Sequence, residues 1–499
     1  MKKLANEQNV NMIVLLLLII QPFLEIYWLY NNSFFMSPST IIRLLIFFIL
    51  FVMFILDKKK YKGFVIISSV FLIYSLIHHV LASNTDLYWS ETYSFIGEMF
   101  YLMRLAVPIY FIYFLSFYKI EEKTIEKGFY IAAYIFAAIM LVTNILMIAL
   151  PAYPYSDGID GSIVNWFSAR ANDLSFESLA TKGIFNMANQ ISGFLILIFP
   201  VLVYYLYRKI SVTKVIGIVF IIISMLMLGT RVAAWGMFII LALMLCIYIV
   251  LCVLDKEKFS NKLIIANSFI LIFAFTLFMF SPIQLRSSLD RAPSNELNSL
   301  KIQIEAYLKI KNANGFAEKR VEIVNFIRDV SWEFSVPEEF LSIYLPEEDP
   351  EFWLEYFEYT SYKKSGNYRV IKTAIQGAVI NKYGNWKTHL FGFSYTATFD
   401  NGMYSERDIH AQFLYIGIIG LLIFIGPFIG IILYGIYKVL VDKRLFNFEN
   451  LTYILALGLT ICVSVFSGHM IDIFVVTIPF AIIASLLINN LKGDVDAKS

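Results

Sequence analysis

Charge is scarce in this 499-residue chain: Asp, Glu, Lys and Arg make up 16% of it against 59% apolar residues, and the runs Ile13–Ile20 and Val215–Leu228 carry none. A soluble domain of this length does not have that composition. Cysteine is nearly missing. Cys246, Cys252 and Cys462 all lie in apolar stretches, where neither a disulfide framework nor a thiolate metal site is expected, and they read as small packing residues. A net charge of +2 gives no basic field suited to nucleic acid. Walker-type loops and dinucleotide fingerprints are also missing, which argues against nucleotide-driven chemistry.

What the chain does have is apolar segments of helix length, near residues 12–30, 40–56, 63–82, 98–117, 128–150, 184–207, 213–229, 232–254, 263–281, 411–438, 450–468 and 471–491. Each is long enough to cross ~30 Å of hydrocarbon. The expected fold is therefore an all-α polytopic membrane protein with about twelve spans. A large, mostly helical loop interrupts it between the ninth and tenth, which divides the chain into 1–280, 281–409 and 410–499. The first apolar run lacks a small-residue cleavage site and reads as a retained signal-anchor.

Lysine and arginine recur at every second loop: Lys58, Lys59, Lys60 and Lys62; Lys119, Lys123 and Lys127; Arg208, Lys209 and Lys214; Lys256, Lys258 and Lys262; Lys443 and Arg444. Basic residues are retained on the cytoplasmic side, so both termini are expected there and the long insert outside. Connections 83–97 and 467–471 contain neither residue, and 151–183 has only Arg170 and Lys182.

The insert reads as a cap with its own organisation. Asn295–Phe334 is expected to be helical, an acidic stretch follows at Glu338–Glu358, and Tyr368–Lys382 reads as an amphipathic helix that could lie on the membrane rim. Turn residues at Lys382–Asn385 and Asp400–Gly402 flank a strand-like stretch, Phe391–Phe399.

This topology brings few polar groups to the outer face. Arg231 lies in Leu228-Gly229-Thr230-Arg231-Val232, a tight turn between spans, where a permanent guanidinium calls for an anionic partner, most naturally a phosphate; snorkelling to headgroups is the plainer alternative. His410 stands at the start of a span, where the helix dipole favours neutral imidazole, a form able to act as general base. Its plainer role is an interfacial histidine. Asn189 and Gln190 could bind sugar or diphosphate, although bonding between helices is the commoner use of buried amides. His469 and Asp472 make an incomplete ligand set, and no metal is expected. His78 and His79 are adjacent, project in different directions, and read as interface anchors.

The order of four short motifs, Gly183-Ile184-Phe185 through Asn189, Gly229-Thr230-Arg231, Arg369 before Leu390-Phe391-Gly392, and His410 with Gly417 and Gly420, resembles the O-antigen polymerase and O-antigen ligase superfamily. Its members pair some ten to twelve spans with one large outer loop near the C-terminus. Val232, Ser394 and Ala411 stand where that family commonly has glycine, glycine and asparagine.

The resemblance implies glycosyl transfer outside the cytoplasmic membrane from an undecaprenyl-diphosphate-linked oligosaccharide, without nucleotide sugar, metal or other cofactor. His410 would activate the acceptor hydroxyl, while Arg231 and Arg369 would stabilise the leaving diphosphate, with Arg286, Arg291 and Arg407 as rivals for the second arginine. Gly417 and Gly420 would let a neighbouring helix approach closely behind His410. Polymerisation of repeat units is favoured over ligation to a final acceptor, because the Ile, Phe, Lys and Asn bias resembles that of cells without a lipid A core. Membrane lipid, a chain-length regulator and a flippase are the expected partners. A lipid-linked-oligosaccharide carrier would also have about twelve spans, but it predicts two similar halves, and no internal repeat is visible. A scaffold in cell-wall assembly is the third reading.

Overall fold

The computed structural model describes residues 7–30, 37–56, 61–84, 93–153, 158–169, 171–289, 296–331, 341, 345–359, 373, 377, 382–399, 407–468 and 470–492. The helices are α1 Glu7–Leu24, α2 Pro38–Leu56, α3 Tyr61–Ala82, α4 Phe95–Leu115, α5 Glu122–Ile145, α6 Phe176–Leu179, α7 Ala188–Arg208, α8 Val212–Met227, α9 Arg231–Val253, α10 Asn261–Phe280 and α11 Pro282–Leu289. They continue as α12 Glu296–Asn312, α13 Phe316–Val330, α14 Pro350–Tyr359, α15 Trp386–Phe391, α16 Tyr395–Phe399 and α17 Asp408–Gly420. A π turn, Leu421–Ile425, leads into α18 Gly426–Val441, followed by α19 Phe448–Phe466 and α20 Phe474–Lys492.

Among the described residues, eleven helical stretches are long and apolar enough to cross a membrane, α17 to α18 counting as one, and α8 is a shorter apolar helix. Together they match the twelve expected segments, and the protein is an all-α multi-pass membrane protein. The described residues form no strand, only the isolated bridges Ile26 with Phe185 and Pro151 with Thr181.

Two compact units are present: one made of residues 1–68, 104–290 and 426–499, the other of 69–103 and 291–425. In the first, α7 is the central helix. Its apolar window is buried throughout, and α5, α8, α9, α19 and α20 pack around it. Peripheral faces are apolar as well: Ile265, Phe269, Ile272 and Phe275 of α10 all lie outward, as a lipid-facing helix requires. Cys246 and Cys462 are also exposed, so these two thiols face outward instead of packing inside as expected.

Polar groups inside the first unit are paired. Arg43, 2% exposed, is ion-paired with the fully buried Glu25 and donates to Gln21 Oε1 at 2.7 Å. Glu25 also accepts from Tyr30 Oη at 2.9 Å. Removing one member would leave an uncompensated charge in a medium without water. The cluster tethers the entry to α7, because the Glu25 carbonyl accepts the Asn186 amide at 2.9 Å and the Ile184 carbonyl accepts the Tyr27 amide at 2.9 Å.

In the second unit, α12 and α13 pack together as the expected helical region, and α14 packs on α13. The stretch Phe391–Phe399 is not a strand. It runs from the end of α15 through Gly392 into α16. Asn385 caps α15 through a capping box with Thr388, and a buried carboxylate takes the first amides of α16, as described below. Apolar and polar residues alternate along it, but hydrogen bonds remote in sequence decide its conformation. The amphipathic helix expected over Tyr368–Lys382 lies outside the described residues except at Thr373, Gly377 and Lys382.

Candidate functional site

In the first unit the site is built around the turn before α9. Gly229 has φ +60°, a conformation costly for a side-chain-bearing residue, and an added Cβ would also meet Ala180. Thr230 then caps α9, its hydroxyl accepting the Ala233 amide at 3.3 Å. Arg231 opens the helix and is exposed. The Thr230 hydroxyl lies 2.9 Å from Ser192 Oγ on α7. This fixes Arg231 relative to Asn189 and Gln190 one turn earlier on that helix. Gln190 is 3% exposed. Its Nε2 lies 3.3 Å from Met187 Sδ, and its Oε1 has no hydrogen-bond partner among the described residues.

Arg286, on α11, completes this constellation. Its guanidinium stands over the Tyr153 ring at 5.0 Å and the Phe176 ring at 5.5 Å. It donates to Tyr153 Oη and to the Gly229 carbonyl at 3.4 Å, while Tyr153 donates to the same carbonyl at 2.9 Å. Every one of these partners is a neutral group, so the arginine is held in place with its charge uncancelled by a carboxylate among the described residues. Lys182 adds a third cation: its neighbour Thr181 donates its amide to the Met227 carbonyl at 2.8 Å, and burial holds the ammonium below the ordinary lysine range. Asp472, at the same end of α7, is ion-paired with Arg104 at 3.3 Å. Among the described residues no group of three or more His, Cys, Asp or Glu could hold a metal ion.

The second unit contains His410, exposed on the first turn of α17, with the half-buried Arg407 just before the helix. Its best-defined feature is a carboxylate knot that the sequence did not suggest. Glu98 is fully buried and accepts from Ser394 Oγ at 2.7 Å, from the Tyr395 and Thr396 amides at 3.1 Å each, and from Thr396 Oγ1 at 3.3 Å. His78 Nε2 lies 2.8 Å from it, and the other ring nitrogen lies 2.7 Å from the Phe391 carbonyl. His78 is thus an internal clamp and not an interface anchor. His79 does point elsewhere, to Tyr93 Oη at 2.8 Å.

This knot holds the Leu390-Phe391-Gly392 motif against α17. Gly417 breaks the helix at φ +63°, and a Cβ there would lie 2.5 Å from Gly392 N and Leu390 O. Gly392 is just as confined, since its Cβ would run into the Tyr415 carbonyl. The carbonyls before the break are used across the crossing: Leu414 O accepts from Phe393 N at 2.8 Å, Tyr415 O from Ser394 N at 3.2 Å, and Ile416 O from Tyr74 Oη at 2.6 Å. Gly417 permits close approach as expected, but what approaches it is the Leu390–Gly392 segment and not a span, whereas a Cβ at Gly420 would lie 2.6 Å from Tyr74 Oη of α3.

Of the arginines weighed for the second anionic contact, Arg286 is joined to the Arg231 turn. Arg407 belongs to the second unit, while Arg369 and Arg291, like His469, lie outside the described residues. Tyr153 and Phe176 had no signal beyond being aromatic residues in a polar loop. Glu98 was detectable only as a carboxylate opening an apolar span.

The described residues thus form a multi-pass helical membrane protein in which Arg286 is held by neutral partners beside the Arg231 turn. The chain belongs to the O-antigen ligase like membrane protein family, whose model matches residues 7–494. Membership supports a membrane enzyme that acts on lipid-linked glycans. Among curated proteins none matches the chain.

Proposed function

We propose that the protein is an extracytoplasmic glycosyltransferase that polymerises undecaprenyl-diphosphate-linked repeat units into a surface polysaccharide of a bacterial cytoplasmic membrane. The observation that carries this reading is the turn at Arg231, with Arg286 fixed beside it by two aromatic faces, a phenol hydroxyl and a carbonyl. Transfer of the glycan breaks the bond between the anomeric carbon and the diphosphate, and charge builds on the leaving oxygen. Guanidinium groups at this turn stabilise that charge, and Arg286, already held in place, does so without reorganising. Lys182 supports them, and the unpaired Gln190 Oε1 is suited to a sugar hydroxyl. His410 takes the proton from the acceptor hydroxyl as it attacks the anomeric carbon. Arg286 takes the role of the second arginine, for which Arg369 was the first choice by sequence. Both termini are cytoplasmic by the lysine distribution.

The test replaces His410 with Ala in the native strain at normal membrane abundance and measures the length of lipid-linked and surface glycan by gel and mass spectrometry. Single lipid-linked repeat units accumulate if the proposal is right. Long lipid-linked chains left unattached would instead make the enzyme a ligase, and an unchanged profile would remove His410 from the chemistry and return the carrier and scaffold readings.

A further inference from the structure

We propose that the cleft between the first turns of α5 and α8 binds a phosphate-bearing anion, with the headgroup of an anionic membrane lipid as its source. The cleft measures about 310 Å³ and is lined by Lys123, Glu126, Lys127, Tyr130, Tyr134, Ser211, Thr213 and Lys214. It is distinct from the site described above, and the proposal does not depend on the reaction assigned there.

Its charge does not cancel internally. Lys214 spends its ammonium on Glu126 at 2.5 Å and on the Tyr205 carbonyl at 2.8 Å, and neighbouring Glu122 is paired with Arg208. Lys123 and Lys127 remain. They stand one helical turn apart on the same face of α5, both are exposed, and neither makes an ion pair among the described residues. Two like charges at this spacing repel, and a phosphate between them relieves the repulsion while accepting hydrogen bonds from both. The amide ends of α5 and α8 add to the positive potential.

The walls point to a lipid as the source. Tyr130 donates its hydroxyl to the Leu202 carbonyl at 2.9 Å and Tyr134 donates to the Thr213 carbonyl, so the two tyrosines offer the cleft their rings and not their hydroxyls. Next to the lining Ser211 in the chain, Val212 is 77% exposed and Ile210 is 41% exposed, apolar surface that suits the glycerol and upper acyl region of a lipid. A basic pocket between membrane helices is the usual form of an anionic headgroup site.

The test uses the purified full-length protein, delipidated in detergent and titrated with phosphatidylglycerol or phosphatidylcholine, with retained lipid read by native mass spectrometry. A parallel arm adds inorganic phosphate as competitor. The Lys123→Gln, Lys127→Gln double variant should need about tenfold more phosphatidylglycerol for the same retention, while Lys262→Gln with Lys443→Gln, outside the cleft, behaves as wild type. Phosphatidylcholine should be held weakly by all. Displacement of the lipid by millimolar inorganic phosphate, lost in the same double variant, would support the phosphate site and extend it to soluble sources. Equal retention by wild type and the cleft variant, or an equal loss in both double variants, would overturn the proposal.

Discussion

Glu98 and Arg286 are both charged groups held at the ends of apolar helices, but their surroundings differ in kind. Glu98 is enclosed by two amides, two hydroxyls and an imidazole, and its charge is consumed within its own unit. Arg286 rests on two rings, a phenol and a carbonyl, groups that orient a guanidinium without neutralising it. A saturated charge is a structural fastener. A charge held by neutral partners is available to a ligand. The Arg43–Glu25 pair falls on the same side of this contrast as Glu98.

The contrast yields predictions that separate folding from activity. Glu98→Ala should be the most damaging change, because it strands His78 and two amides in a buried setting, at a cost of about 3–5 kcal/mol. Membrane abundance, measured by immunoblot, should collapse, and Glu98→Gln should recover part of it. Arg286→Ala or Arg231→Ala should instead leave abundance near normal and lower the rate of glycan elongation by about 10²–10³-fold. Arg286→Lys should stay impaired, since an ammonium cannot reproduce the stacked, forked contact.

Gly417→Ala forces a side chain into the positive-φ region and against Leu390, so detergent thermal stability should fall by about 1–3 kcal/mol. Tyr153→Phe removes one hydroxyl between Arg286 and Gly229, for a loss of about 1 kcal/mol, visible as a roughly fivefold lower elongation rate. The smallest effect concerns pH. Lys182 is held below the ordinary lysine range by burial, so its charge is lost as pH rises through a lowered value, and any contribution to rate fades earlier on the alkaline side than an unperturbed lysine would allow. Lys182→Arg should move that alkaline limb upward in an activity profile.

The spans were legible in the sequence because a twenty-residue charge-free segment has few alternatives in any solvent, and the Gly229–Arg231 turn announced itself by its residues. What could not be read is what distant segments decide. Phe391–Phe399 alternates like a strand yet folds as helix, because Glu98, nearly three hundred positions away, receives the amides of Tyr395 and Thr396. His78 looked like an anchor because nothing local reveals that Glu98 faces it. Arg286 was one of several loop arginines until Tyr153 and Phe176 came to lie against it. Each miss has the same cause: a polar group in an apolar chain takes its meaning from a partner, and the partner is remote.

The central claim is that the Arg231 turn, with Arg286 held beside it by neutral partners, is the donor diphosphate site. The most direct measurement is the affinity of the detergent-purified full-length protein for undecaprenyl diphosphate, compared among wild type, Arg231→Ala, Arg286→Ala and Glu98→Gln. At equal folded fraction, both arginine variants should bind at least tenfold more weakly, while Glu98→Gln binds like wild type. Undiminished binding by the arginine variants would contradict the account.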